Sequence, residues 1–167
     1  MRRWAVITLI FAVLLGLPGC RWITGSKDPE RYEAKKLAGQ EAEDIFKMLL
    51  EEDIDGLTAL FAEDAVKGHD IRKEWKAFFD QIDGKLVSYS GISFPGEGME
   101  VDKDGTICDS HLSVNYGDVT TDNGTVYKNF GYYQTRIDTR DRTLEGINVF
   151  TMQDPGSGEY ISVGGLP

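Results

Sequence analysis

Apolar positions along this chain recur first with a helical period and then with a strand period, and the change falls near residue 84. Between residues 29 and 52, Ala38, Ala42, Ile45 and Leu49 return at intervals of three and four, and Phe46 and Leu50 widen the stripe. That spacing predicts an amphipathic helix with one buried face. Asp28 followed by Pro29 suits its N-cap and first helical position. Residues 53–56 interrupt it, and a short helix through Leu57, Leu60 and Phe61 follows. A further helix is expected over 69–82, with Ile71, Trp75, Phe78, Phe79 and Ile82 on one side. His69-Asp70 caps its start and Asp83-Gly84 ends it.

From there the pattern reads as β. Residues 86–94 form an expected strand, 98–101 begin another, and 106–119, 125–138 and 143–152 are longer runs rich in Val, Ile, Tyr, Phe and Thr. Asp104-Gly105 and Asn123-Gly124 supply the positive φ angles of tight turns, and Thr139-Arg140-Asp141-Arg142 makes a polar third turn. Consecutive hairpins predict an antiparallel meander, and helices before it make the fold α+β. The expectation is two to three N-terminal helices packed on a curved antiparallel sheet of four to five strands. Alternation is not clean. Cys108, Leu112, Val114 and Tyr116 share one face of their strand, and Asp109, His111, Ser113 and Asn115 the other. In the next strand Val126, Phe130 and Tyr132 oppose Tyr127, Tyr133 and Ile137, so both faces carry aromatic mass. Such strands suit a curved sheet with a partly polar concave side.

The N-terminus has its own pattern. Arg2-Arg3 precedes an apolar run over 4–17 broken only by Thr8 and Gly16, the length of a signal-peptide core and short of a membrane span. Leu17-Pro18-Gly19-Cys20 closes the run and resembles the bacterial lipobox, with Pro18 in place of the commoner Ala or Ser. The resemblance implies a diacylglyceryl thioether, with its acyl chains, on Cys20 and cleavage just before it. An uncleaved anchor reaching Ile23 is the alternative. Either reading leaves the positive charge inside and the rest of the chain outside the cytoplasmic membrane. The expected organisation is a signal peptide over 1–19, a lipidated tether over 20–29, a folded domain over 30–155 and a C-terminal tail over 156–167.

Charge then narrows the partners. The net charge is −10, and loss of 1–19 with Arg2 and Arg3 leaves −12. Nucleic-acid binding draws on clustered cations, which this chain lacks beyond residue 30, so no nucleic-acid partner is expected. Broad contact with an anionic membrane surface is disfavoured for the same reason. With Cys20 acylated, Cys108 is left alone, and its strand face marks it as a buried, inert thiol.

Candidate chemistry is sparse. His69-Asp70 matches a metal phosphohydrolase dipeptide, but His111 is the one other histidine, and capping is the simpler role. Glu100 to His111 has part of a calcium-loop spacing through Asp102, Asp104 and Gly105, but it lacks the acidic twelfth ligand and sits between strands. A hairpin turn is expected there. No metal or cofactor is expected.

Residues 55–65, Asp-Gly-Leu-Thr-Ala-Leu-Phe-Ala-Glu-Asp-Ala, followed by a long-stranded curved sheet, resemble the nuclear transport factor 2-like superfamily. More narrowly, the lipobox, residues 84–89, residues 123–127 and Gly146-Ile147 resemble an uncharacterised family of small lipoproteins, mostly from Gram-positive bacteria, over roughly residues 33–153. That family carries no assigned reaction and no catalytic residues. The superfamily includes ketosteroid isomerase and scytalone dehydratase, which work inside a cone between helix and sheet. By that likeness the pocket residues here would be Tyr89, His111, Tyr127 and Tyr133, with Asp109 as base. The preferred expectation is a membrane-tethered extracytoplasmic module, non-catalytic, binding a small molecule or an envelope protein through the concave sheet. The alternative is a small hydrolase or isomerase using a His/carboxylate/Tyr pocket. Homodimerisation through the sheet is a third expectation.

Overall fold

The computed structural model describes residues 34–165, so the expected signal peptide, Cys20 and the tether lie outside the described residues. Within them are three α-helices and an antiparallel, curved sheet of seven strands. Helix α1 (Ala34–Glu51) buries Ala38, Ala42, Ile45, Phe46 and Leu49 of the stripe its spacing predicts, but Leu50, expected to widen it, lies one position past Leu49 on the solvent side and is exposed. Glu52, with φ of 51°, stops it, and the Asp53 side chain caps α2 (Ile54–Thr58) by accepting from the Gly56 N–H. Helix α3 (Ile71–Asp80) starts on Asp70, whose carboxylate accepts from the Lys73 N–H, as expected of a cap. Among the described residues no helix is long and apolar enough to cross a membrane.

The strands are β1 (Leu86–Ser88), β2 (Gly91–Val101), β3 (Ile107–Gly117), β4 (Val119–Thr121), β5 (Val126–Asp138), β6 (Gly146–Gln153) and β7 (Tyr160–Gly164). The order β1-β4-β5-β3-β2 runs to one side, and β6 then β7 extend the sheet from the other side of β5. The sheet is larger than the expected four to five strands for three local reasons. Asp118, with φ of 38°, breaks the run 106–119, so β4 turns away from β3 and pairs with β1 instead. The run 86–94 is likewise two strands, β1 and the start of β2. β2 then continues past Pro95 by shifting register between Ser93 and Gly96. Finally, β7 lies in the segment expected as a tail and pairs with β6.

Among the described residues the helices cover one face of the sheet. Leu112, Val114, Tyr116, Phe130, Tyr132, Phe150 and Met152 point to them and join a single core with α1, α2 and α3. Trp75, fully buried, stands at its centre, with ring contacts to Phe61, Phe78, Phe79 and Phe150 at 5.1–6.2 Å. Phe61 also bridges Ile147 of β6, flanked by hydrogen bonds from Ile147 to Leu60 and from Ala62 to Ile147. That close approach needs Gly146, where a Cβ would lie 2.5 Å from the Ala62 nitrogen. Among the described residues no helix lies over the opposite sheet face. On it lie Asp109, His111, Ser113 and Asn115 of β3, across from Asp138, Thr135, Tyr133 and Gly131 of β5.

Candidate functional site

The four residues named for a pocket do not meet. Tyr89 packs under α1, edge-on to Phe46 at 4.6 Å and to Tyr116 at 5.3 Å. Tyr127 is buried, and its hydroxyl accepts from the Asp83 N–H at 2.7 Å, holding the chain that leaves α3. His111 and Tyr133 lie together on the uncovered face, ring centroids 5.8 Å apart. The sheet therefore separates one pair from the other. The pocket failed to assemble because strand alternation alone does not say which face the helices cover.

His111 does find a carboxylate. Its Nδ1 is 2.8 Å from Asp109 Oδ1, one step along the same face. Gly98 of β2 lies beneath the imidazole, where a Cβ would come within 2.4 Å of Nε2. Arg140 stands over the end of this row, 3.1 Å from Glu100 and 4.0 Å from Asp109. Tyr133 has its pKa raised by partial burial and by the Asp109 charge. The row is a shallow surface strip.

Other sequence candidates resolve into local structure. Asp102 and Asp104 accept from the Lys103 and Thr106 backbone N–H groups and shape the β2–β3 turn with Gly105 at φ 87°. Cys108 is half-buried rather than buried, because the β2–β3 register shifts past it, from Glu100↔Asp109 to Val101↔Ile107. Its Sγ reaches the Thr106 carbonyl at 3.5 Å. His69 Nδ1 pairs with Glu74 at 2.8 Å, and the other Glu74 oxygen accepts from the Gly164 N–H at 2.8 Å, clasping β7 to α3. Among the described residues no cluster of three or more His, Cys, Asp or Glu side chains forms a metal site.

A second polar group lies on the helix-covered face, and it was not anticipated. Arg136 Nη1 donates to Glu41 Oε2 of α1 at 2.5 Å, and Gln134 Nε2 donates to Glu41 Oε1 at 3.1 Å. Gln134 Oε1 also accepts from Arg136 at 3.4 Å. Gln134 is fully buried, and the side chains of Arg136 and Glu41 are 13% and 24% exposed. Tyr132 completes the group. It is 3% exposed, its ring is stacked on Phe150 at 5.8 Å, and its hydroxyl has no hydrogen-bond partner among the described residues. Tyr116 beside it donates to the Ala42 carbonyl at 2.7 Å. Burial, with Glu41 adding to it, holds the Tyr132 phenol far above its ordinary range, so it stays a neutral hydroxyl.

Sequence did carry a signal for this group. Extending the face of Phe130 and Tyr132 by twos reaches Gln134 and Arg136, and Glu41 interrupts the stripe between Ala38 and Ile45. Polar residues where the period calls for apolar ones mark an internal polar site. Arg136 also sits where the β3–β5 register shifts, between Ser110↔Ile137 and His111↔Thr135. That bulge lets successive inward positions both be polar. A cleft between α1, α3 and β1, lined by Leu49, Phe79, Ile82 and Leu86, holds about 20 Å³, room for little more than a water.

Comparison with known proteins places residues 44–154 under the pattern described as Domain of unknown function (DUF5104). No curated protein matches the chain.

Proposed function

The chain belongs to the DUF5104 family, and from its own side chains we propose that it is a lipid-tethered, extracytoplasmic, non-catalytic module that binds a small molecule at the inner polar cluster. The fold we assign it is nuclear transport factor 2-like, with the helices closing the concave side of the sheet. The observation that carries the binding role is the Tyr132 hydroxyl, buried without a partner beside Glu41, Gln134 and Arg136. An orphaned buried hydroxyl costs about 1–3 kcal/mol, and residues held at a stability cost concentrate at sites of function. Tyr132→Phe is expected to raise the unfolding free energy by about 1 kcal/mol, or roughly 3 °C in Tm. Tyr116→Phe, which loses the bond to Ala42, should lower it by a similar amount. Thermal denaturation of both variants checks this; a destabilised Tyr132→Phe would mean the hydroxyl is structural and would remove the site.

Tethering rests on the lipobox ending at Cys20. Two acyl chains on one residue hold a protein stably to a bilayer. Cys20→Ala should move the protein from the detergent phase to the aqueous phase on Triton X-114 partition. Retention in detergent would favour the uncleaved anchor instead. The sheet divides the named pocket residues, with His111, Asp109 and Tyr133 on one face and Tyr89 and Tyr127 packed on the other, and this supports binding over turnover.

A further inference from the structure

Two contacts fix how α1 lies along β2. The Phe94 ring sits against Gly39, 3.9 Å from where a Cβ would stand, and Lys35 Nζ pairs with Glu97 at 2.8 Å. Stepping back along α1 from Gly39 to Lys35 is therefore stepping forward along β2 from Phe94 to Glu97. β2 continues past that pair to Val101. Glu97 pairs with the inward-facing Leu112, and alternation by twos puts Met99 and Val101 on the same helix side of the sheet. Met99 is 50% and Val101 38% exposed there, although Ile107 opposite Val101, and Ile137 one strand beyond Met99, are buried.

The sequence supplies what comes next on the helix side. Asp28-Pro29 marks an expected helix start, so the period of α1 continues back to residue 29. Tyr32, Lys35 and Gly39 then stand at i, i+3 and i+7, on one face. Helical side chains lean toward the N-terminus, which from position 32 is toward Met99. Three helical residues rise about 4.5 Å and two strand residues about 6.6 Å, a difference that a phenol ring spans. The segment is also joined to the first turn of α1, so its effective concentration over the patch exceeds that of any separate molecule.

We propose that residues 28–33 form a strap docked on the end of β2, with the Tyr32 ring seated over Met99 and Val101. With the strap in place only residues 21–27 remain between the domain and Cys20, a reach of about 25 Å at full extension. Given the lipidation proposed above, on which this consequence rests, the domain stands close to the bilayer with its β2–β3 end nearest to it.

Photocrosslinking tests the docking, with p-benzoylphenylalanine carried at position 32 of the full chain in detergent. Illumination should join position 32 to Met99 or Val101 of the same chain. The same probe at position 50, at the far end of α1, should give no such product. A join to β2 of a second copy, seen at dimer mass, would overturn the strap in favour of a contact between copies. Joins elsewhere, or to detergent alone, would remove the docking altogether. Tyr32→Ala and Met99→Ala should each lower Tm by about 3 °C, and the double variant should fall no further than about 3 °C. Additive losses would mean that the two side chains do not touch. Cys20→Ala should keep the crosslink, because docking needs no lipid, so a missing crosslink and a missing anchor are read separately.

Discussion

Gly131→Ala should leave the domain barely folded, with a loss of about 3–5 kcal/mol for the addition of one methyl group. Gly131 pairs with Asn115 at the crossing of β3 and β5, on the face without helices. A Cβ built there would lie 2.0 Å from the Val114 carbonyl oxygen and 2.9 Å from the Asn115 Cα. Both are backbone atoms in a central strand, so no side chain can rotate aside. Relief requires β3 and β5 to separate, and the ladder between them runs from Asp109↔Asp138 to Tyr116↔Phe130. Against a typical total of about 5–15 kcal/mol, that is a large share. Gly91→Ala is the control, since a Cβ there meets nothing within 4 Å and the backbone has no positive φ. Urea unfolding should show Gly91→Ala close to the parent and Gly131→Ala with a clearly lower midpoint. Near-parent stability for Gly131→Ala would mean that the β3–β5 crossing is looser than described.

Trp75→Ala should cost about 3–5 kcal/mol by a different route, the cavity left when a large buried ring is removed. Trp75 is fully buried, and it touches Phe61, Phe78, Phe79 and Phe150. These come from the α2–α3 connection, α3 and β6, so the ring joins the helical layer to the sheet. Packed rings in place cannot collapse onto the space, which keeps the cost at the high end. The indole N–H has no partner among the described residues. Trp75→Phe therefore removes an unsatisfied donor together with part of the ring, and should lose clearly less than Trp75→Ala. Denaturant unfolding of both variants checks the order; equal losses would put the weight of Trp75 elsewhere than in packing.

Much of the fold is legible in the order of apolar and polar residues. The α1 stripe, the Asp70 cap and the Asp104-Gly105 and Asn123-Gly124 turns follow from local chemistry, which acts within a few residues. Elements that depend on distant partners are harder to read. Asp118 ends β3 by a single left-handed residue, and β4 becomes a strand because β1 and β5 lie on either side of it. β7 is five residues long after a loop in which Asp154 accepts from Gly156 and Ser157, and its strand character comes from β6. The site follows the same rule. Tyr89, His111, Tyr127 and Tyr133 are the residues whose chemistry is conspicuous, yet the sheet divides them. Glu41 and Arg136 stand 95 positions apart in sequence, and only the packing of α1 over β5 brings them into contact.

The clasp on β7 sets a schedule for folding. This strand holds the last described regular structure, it completes the sheet beside β6, and Glu74 fixes Gly164 onto α3. Neither bond can form until residue 164 has been synthesised. A growing chain therefore exposes an open β6 edge until β7 has been synthesised, so the sheet closes late.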